Sequence, residues 1–169
     1  MSKIIACCDL CDSHKNDMSG QFRVLPPAFK DFGAHQSFFG QVVTVQCFED
    51  NTPVKAAVES PGLGRVLVVD GGASLRRALL GGNLGAAAAR NGWAGVVIDG
   101  CVRDVAELAG QAIGIRALAS MPLPTERKQA GLSQLPVTIQ GVRVQPGDWL
   151  YADEDGMVVS DRPLHGQAD

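Results

Sequence analysis

The residues best suited to chemistry are an adjacent arginine and aspartate, Arg103 and Asp104, with Glu107 three positions after the aspartate. A guanidinium held at a fixed position can bind a carbonyl or carboxylate oxygen. A carboxylate can hold a hard divalent cation that keeps several of its waters. A structural interpretation competes, because Asp104 as a helix N-cap and Glu107 in the first turn would form a capping box. The residue types alone leave both interpretations open.

A second candidate is the segment formed by Gly81, Gly82, Asn83 and Leu84. Two glycines let a backbone approach a ligand closely, and the first turn of a following helix offers free N–H groups and the positive end of the dipole. This combination suits a carboxylate or a phosphate. The alternative, a helix C-cap followed by Asn83 as an N-cap, is the commoner use of such residues. The segment lacks the Gly-Lys-Ser/Thr ending of a phosphate-binding P-loop.

Other polar clusters favour structural roles. Cys8, Cys11 and His14 could suggest zinc, but a structural zinc site needs four ligands and no second pair follows at ligand spacing. We interpret them as part of a short N-terminal helix with Asp9 as its N-cap. The acidic run 153–156 ends in Asp-Gly and predicts a hairpin turn rather than a metal site.

Composition narrows the functional classes. The chain has 169 residues, is 46% hydrophobic and carries a formal net charge of -3. This acidic balance argues against direct nucleic-acid binding, which requires a basic face. Its apolar runs fall short of the roughly 20 residues of a membrane span. The N-terminus shows no secretory apolar stretch, so a cytoplasmic location without a disulfide framework is expected.

Hydrophobic patterning predicts apolar strands at 65–70 and 95–99, as is typical of strands buried on both faces, and a further strand at 113–120. Helices are predicted at 74–80, 84–90 and 104–108, and this alternation implies parallel strands joined by right-handed crossovers. Four later runs, at 137–139, 142–144, 149–151 and 157–159, predict antiparallel hairpins. The chain 1–169 is therefore predicted to be one α/β domain, with a loosely held tail after about residue 160.

Five segments resemble the RraA-like family, namely 65–72, 81–84, 100–104, 146–148 and 151–156. The resemblance extends from about Cys8 to about Ser160. It implies a layered β/β/α fold of the swivelling type. The family contains the regulator of ribonuclease activity A, which binds and inhibits ribonuclease E. It also contains class II 4-hydroxy-4-methyl-2-oxoglutarate aldolases, which decarboxylate oxaloacetate as well.

The aldolases share a signature of a glycine, twenty residues, Arg-Asp, two residues and an acid. Gly82, Arg103, Asp104 and Glu107 fit it here. The resemblance implies that backbone N–H groups bind the substrate carboxylate, that Arg103 contacts substrate oxygens, and that Asp104 anchors Mg²⁺ or Mn²⁺. Arg103 and Asp104 are the implied catalytic residues. The implied substrate-binding residues are Gly81, Gly82, Asn83, Leu84 and Arg103.

The implied activity is retro-aldol cleavage of 4-hydroxy-4-methyl-2-oxoglutarate, and of 4-carboxy-4-hydroxy-2-oxoadipate, to pyruvate. Regulator-type members can lack the aspartate, so Asp104 favours the metal-dependent enzyme. The length of 169 residues matches compact regulator-like members, which supports the alternative of a protein that binds ribonuclease E or an RNA helicase without catalysis. The resemblance also implies a homotrimer, sometimes paired into a hexamer.

Overall fold

The computed structural model describes residues 5–166. Within them the helices are α1 (Cys7–His14), α2 (Thr52–Val58), α3 (Gly82–Arg90) and α4 (Val105–Leu108). The strands before α3 are β1 (Phe22–Val24), β2 (Lys30–Asp31), β3 (Phe38–Gln46), β4 (Val66–Asp70) and β5 (Ala78–Leu80). The strands after α3 are β6 (Gly95–Val102), β7 (Gly114–Ser120), β8 (Leu132–Ser133), β9 (Val137–Ile139), β10 (Val142–Val144), β11 (Trp149–Asp153) and β12 (Gly156–Ser160).

Parallel strands form the centre of a curled, mixed sheet. β3, β4, β6 and β7 lie side by side, with Val66 of β4 paired to Val42 of β3 and to Gly95 of β6. β11, β12 and β1 continue the sheet beyond β3 with antiparallel pairing, and β2 pairs with β7 at the other end. β9 and β10 form a separate hairpin. The predicted parallel core and C-terminal hairpins are confirmed.

The parallel strands are largely apolar because their alternate side chains enter two different cores. On one face, Leu67 and Val69 pack with residues of α2 and α3 such as Val58. On the other face, Val66 and Val68 pack with the β9–β10 hairpin and with β11 and β12. The order of helices, parallel sheet and second β layer is the predicted β/β/α layering.

The helix predicted at 74–80 is wrong. Residues 72–77 form bends and a turn, and residues 78–80 form the buried strand β5, which pairs parallel with β6. The Ser74 hydroxyl accepts a hydrogen bond from the Arg76 N–H, which is the local competition that disfavours a helix start. Complete burial of β5 beside β6 then favours the extended backbone over the helical propensity of its residues.

Two helix starts also differ from prediction. α1 begins at Cys7, not after Asp9, because the Asp153 carboxylate on β11 accepts the Cys7 N–H at 2.7 Å and so caps the helix from a distance in sequence. α3 begins at Gly82 with Gly81 in the extended N-cap conformation, so Asn83 lies inside the first turn and caps nothing. Among residues 5–166, no helix is long and apolar enough to cross a membrane.

The segment after β12 was predicted to be a loosely held tail, but the structure packs it against the domain as far as His165. The Tyr151 hydroxyl accepts the Leu164 N–H at 2.7 Å and lies 2.8 Å from His165 Nδ1. The His165 ring also contacts the rings of Phe39 and Trp149. Tyr151 is nearly fully buried, so these hydrogen bonds satisfy a hydroxyl that would otherwise be costly to bury.

Candidate active site

The two motifs singled out in the sequence meet at the carboxyl ends of β5 and β6. Gly81 follows β5 directly, and Arg103 follows β6. The Arg103 N–H donates to the Leu80 carbonyl oxygen at 2.9 Å, which fixes the two strand exits beside each other. Ligands in open α/β sheets bind beyond such strand ends. The fold therefore brings together residues that lie about twenty positions apart in the sequence.

One hydrogen bond joins the motifs most directly. The Asp104 carboxylate accepts the Gly82 N–H through Oδ2 at 2.9 Å. A Cβ at position 81 would lie 2.7 Å from this same oxygen, and a Cβ at position 82 would overlap the Glu107 carboxylate. Both glycines are therefore needed so that two carboxylates can lie against the turn.

Asp104 occupies the N-cap position of α4, as the structural interpretation of its motif predicts, but its side chain does not cap the helix. Its side chain makes no capping hydrogen bond to α4 and turns to Gly82 instead. Its backbone is left-handed, with φ 57° and ψ 44°, a conformation that costs a non-glycine residue about 1 kcal/mol or more. This backbone conformation directs the carboxylate toward Gly82 rather than toward the first turn of α4.

Arg103 and Asp104 are open to a ligand. Their side chains are 41% and 39% exposed, and Arg103 Nε lies 3.8 Å from Asp104 Oδ2. The other anchor of the guanidinium is the Pro122 carbonyl oxygen, which accepts from Nη1 at 3.4 Å. A half-exposed guanidinium with two loose contacts can still bind substrate oxygens through its remaining donors.

The helix N-terminus is only in part available for an anion. The Gly82 N–H is already used by Asp104, whereas the N–H groups of Asn83 and Leu84 belong to the first turn of α3, which has no intrahelical acceptor for them. A substrate carboxylate at this turn would thus meet Asn83 and Leu84 rather than Gly82.

Two residues just before α2, Asn51 and Asp50, support the site although neither is among the predicted site residues. The Asn51 side-chain amide donates to the Leu79 carbonyl oxygen of β5 at 3.1 Å and accepts from Arg127 Nε at 3.1 Å. Asp50 accepts hydrogen bonds from the N–H groups of Thr52 and Lys128. No spacing in the sequence marks these long-range contacts.

The pKa of the Asp50 carboxyl shows that its hydrogen bonds to the backbone favour the ionised form. Burial acts to raise the pKa of its carboxyl, but hydrogen bonds from Thr52, Lys128 and Ala130 outweigh burial and lower the pKa to about 2. The anion is therefore favoured in the folded protein, where it ties α2 to the segment 128–130.

Similarity to known proteins decides the family. The model of the RraA-like family, described as Aldolase/RraA, matches residues 7–159. The chain belongs to the RraA-like family. A relative from Albidiferax ferrireducens, named as a 4-hydroxy-4-methyl-2-oxoglutarate aldolase, is 71% identical over 95% of this chain and 97% of its own. A Burkholderia mallei relative with the same name is 52% identical over 95% of this chain and 98% of its own.

A solved RraA-like structure has the same fold. The structure of the RNA-processing inhibitor RraA from Thermus thermophilis superposes with a TM-score of 0.90 at 43% sequence identity, covering 97% of each chain. The RraA-like family and its mixed α/β fold, predicted from the motifs, are confirmed.

Proposed function

We propose that this RraA-like protein is a divalent-metal-dependent aldolase that cleaves 4-hydroxy-4-methyl-2-oxoglutarate and 4-carboxy-4-hydroxy-2-oxoadipate to pyruvate and also decarboxylates oxaloacetate. The names of its relatives at 71% and 52% identity support the aldolase activity. The observation that carries the proposal is the Asp104 carboxylate, held by the Gly82 N–H and adjacent to the Arg103 guanidinium.

The two reactions share one chemical demand. Retro-aldol cleavage of a 2-keto acid and decarboxylation of oxaloacetate both leave the enolate of pyruvate, whose negative charge is costly in water. A divalent cation held at the site would act as a Lewis acid and stabilise that charge. Because a metal can supply this stabilisation, a lysine Schiff base is not required.

The residues present fit such a cation. Asp104 offers a hard oxygen ligand, and its Oδ2 is oriented by Gly82 while Oδ1 makes no hydrogen bond within residues 5–166. Within residues 5–166, no three His, Cys, Asp or Glu side chains lie close enough together to hold a metal ion by themselves. Mg²⁺ is commonly held by one or two carboxylates, with waters and substrate oxygens completing its shell. Asp104 would therefore hold the ion in this way.

The chain's own groups bind and orient the substrate. Arg103 would place a positive charge at the oxygens that gain negative charge as the bond breaks. The free N–H groups of Asn83 and Leu84 would receive the substrate carboxylate at the start of α3. Together these contacts would align the scissile bond and favour the transition state over the free keto acid.

The test is pyruvate release from 4-hydroxy-4-methyl-2-oxoglutarate, measured with Mg²⁺ and with EDTA. We expect turnover with Mg²⁺, loss of turnover with EDTA, and loss in Asp104→Ala. Asp161→Ala, which removes an exposed carboxylate after β12, serves as the matched control and should behave as the parent protein. Equal, negligible turnover in all samples would remove the proposal.

A second candidate function has one observation in its favour. The Thermus structure that superposes so closely is described as an RNA-processing inhibitor. Binding to ribonuclease E or an associated RNA helicase would be seen as a stoichiometric complex that survives Asp104→Ala, since this function needs no metal.

We also propose that the protein is a homotrimer whose subunits meet near the site. Exposed apolar side chains follow the ends of the parallel strands, with Phe48, Leu75 and Leu123 exposed by 62%, 56% and 47%. Exposed apolar side chains at these strand ends support contact with another subunit there. Sedimentation equilibrium should give three times the chain mass, or six times if trimers pair, and a monomer would contradict this proposal.

A further inference from the structure

A cavity of about 700 Å³ lies where the two ends of the curled sheet approach each other. The terminal strands are β1 and β2, and residues of both, Val24 and Asp31, line it. Helix α1 and the turn between β11 and β12 form the rest of its rim. None of the candidate active-site residues lines this cavity, which we call the seam cavity.

Arg116 of β7 lies in the wall of the seam cavity with its side chain only 6% exposed. Its Nη2 donates to the carbonyl oxygens of Gln36 and Asp153. Its Nε is buried, lies 3.5 Å from Asp31 Oδ1 and makes no hydrogen bond, and Nη1 donates none within residues 5–166. Nε therefore forms an ion pair with Asp31, whereas the two N–H donors of Nη1, which is not among the buried unpartnered atoms, can donate to a bound group.

Apolar side chains form much of the remaining wall. Leu25, Phe29 and Met157 line it together with Pro26 and Pro27. A volume of this size lies within the range of about 300–1,000 Å³ that is typical of small-molecule sites. An apolar wall with one buried charged group is the usual composition of such sites, because the apolar surface supplies affinity and the charge fixes orientation.

The mouth of the cavity has the opposite charge. Asp12, Asp31, Glu154 and Asp155 are exposed among the lining residues, whereas Arg116 is the single basic side chain of the lining. Four exposed carboxylates repel a simple anion on its approach. They attract an ammonium group, so the wall and the mouth together favour a ligand that carries both charges.

We propose that the seam cavity binds an apolar zwitterion, the chemistry shared by an apolar amino acid and a short apolar peptide. The ligand carboxylate accepts from Arg116, the apolar body lies against Leu25 and Phe29, and the ammonium group lies at the acidic mouth. The site is separate from the proposed active site, so its existence does not depend on the aldolase activity.

The ligand series L-leucyl-L-leucine, its C-terminal amide and its N-acetyl derivative tests this inference by isothermal titration calorimetry. The parent dipeptide should bind with a Kd of roughly 1 mM or tighter. The amide lacks the carboxylate and should bind about tenfold more weakly. The acetylated dipeptide lacks the ammonium group and should bind a few-fold more weakly, since its partners are exposed. Free leucine distinguishes an amino-acid source from a peptide source by its relative affinity.

Cys8 provides a reporter within the cavity wall. It is exposed, and its thiol donates to Asp155 at 3.4 Å, whereas Cys47 and Cys101 are buried elsewhere. Saturating L-leucyl-L-leucine should slow carbamidomethylation of Cys8 by iodoacetamide several-fold, as peptide mass mapping would show. Binding without this protection would place the dipeptide elsewhere and overturn the inference.

Two variants complete the test. Arg116→Met should abolish discrimination between the dipeptide and its amide, and Glu154→Gln, an exposed change that keeps the fold, should weaken the dipeptide without affecting the acetylated form. If Arg116→Met does not fold, the ligand series on the parent protein decides alone. Equal affinity for dipeptide and amide, or no saturable binding up to about 10 mM, would overturn the proposal.

Discussion

The Asp104 carboxylate accepts the N–H of Gly82, a residue 22 positions earlier in the chain, at 2.9 Å. This bond connects the end of β6 to the start of α3 and orients one carboxylate oxygen, while the side chain stays 39% exposed. A carboxylate held in this way is pre-organised for a ligand, because it makes no capping hydrogen bond to α4. The proposed chemistry depends on this relationship.

Gly82→Ala should lower activity far more than stability. The new methyl group would overlap the Glu107 carboxylate, which is the far end of a flexible side chain that can move away. We expect kcat/KM to fall about tenfold or more because the turn and its carboxylates shift, while thermal unfolding changes little. Steady-state kinetics and calorimetry measure the two effects.

The matched control is Gly110→Ala, since a Cβ there meets only the Glu107 carbonyl oxygen at an ordinary 3.6 Å. Parent-like kinetics for Gly82→Ala would show that the turn does not need its glycine.

Arg103→Lys should impair catalysis although the charge is kept. A lysine cannot offer the fork of donors that binds two substrate oxygens at once. We expect kcat/KM for 4-hydroxy-4-methyl-2-oxoglutarate to fall about 100-fold. Arg90→Lys, an exposed change at the far end of α3, is the control. A loss equal to that of the control would mean that Arg103 acts only as a surface charge.

Asp50 should make the stability of the fold depend on acid pH. Its pKa is lowered from 3.8 to about 2 in the folded protein, so its ionised form stabilises the fold above the unfolded pKa. This contribution is lost as the pH falls through about 2. Asp50→Asn should therefore lower the free energy of unfolding by roughly 2 kcal/mol near neutral pH, with the deficit shrinking below about pH 4.

Urea denaturation at a series of pH values measures this difference, with the exposed Asp161→Asn as control. A deficit that stays constant down to the lowest pH would contradict the assignment of the stabilising anion to Asp50.

The parallel core could be predicted from sequence because burial on both faces leaves a local mark. The run 66–69 is apolar at every position, which only a doubly covered strand requires. β5 could not be predicted, because three residues carry no period and their extended state depends on pairing with β6. The turn at Glu154 and Asp155 was predictable, since Asp-Gly chemistry is local to the hairpin.

The site was predictable as a set of residues but not as a geometry. The spacing of Gly82, Arg103 and Asp104 marks the candidates, and local capping rules then assign Asp104 to α4. In the structure the Asp104 carboxylate instead accepts the Gly82 N–H, and the Asn51 side-chain amide donates to the Leu79 carbonyl oxygen. Both contacts cross between elements, so no local rule contains them.

Mn²⁺ binding, measured by electron paramagnetic resonance with and without pyruvate, tests the central claim most directly. The protein should bind about one Mn²⁺ per chain, with pyruvate increasing the affinity because it adds oxygen ligands. Asp104→Ala should lose this binding while keeping the parent's circular dichroism and unfolding temperature. Equal Mn²⁺ affinity in the parent and in Asp104→Ala would contradict the assignment of the metal to Asp104.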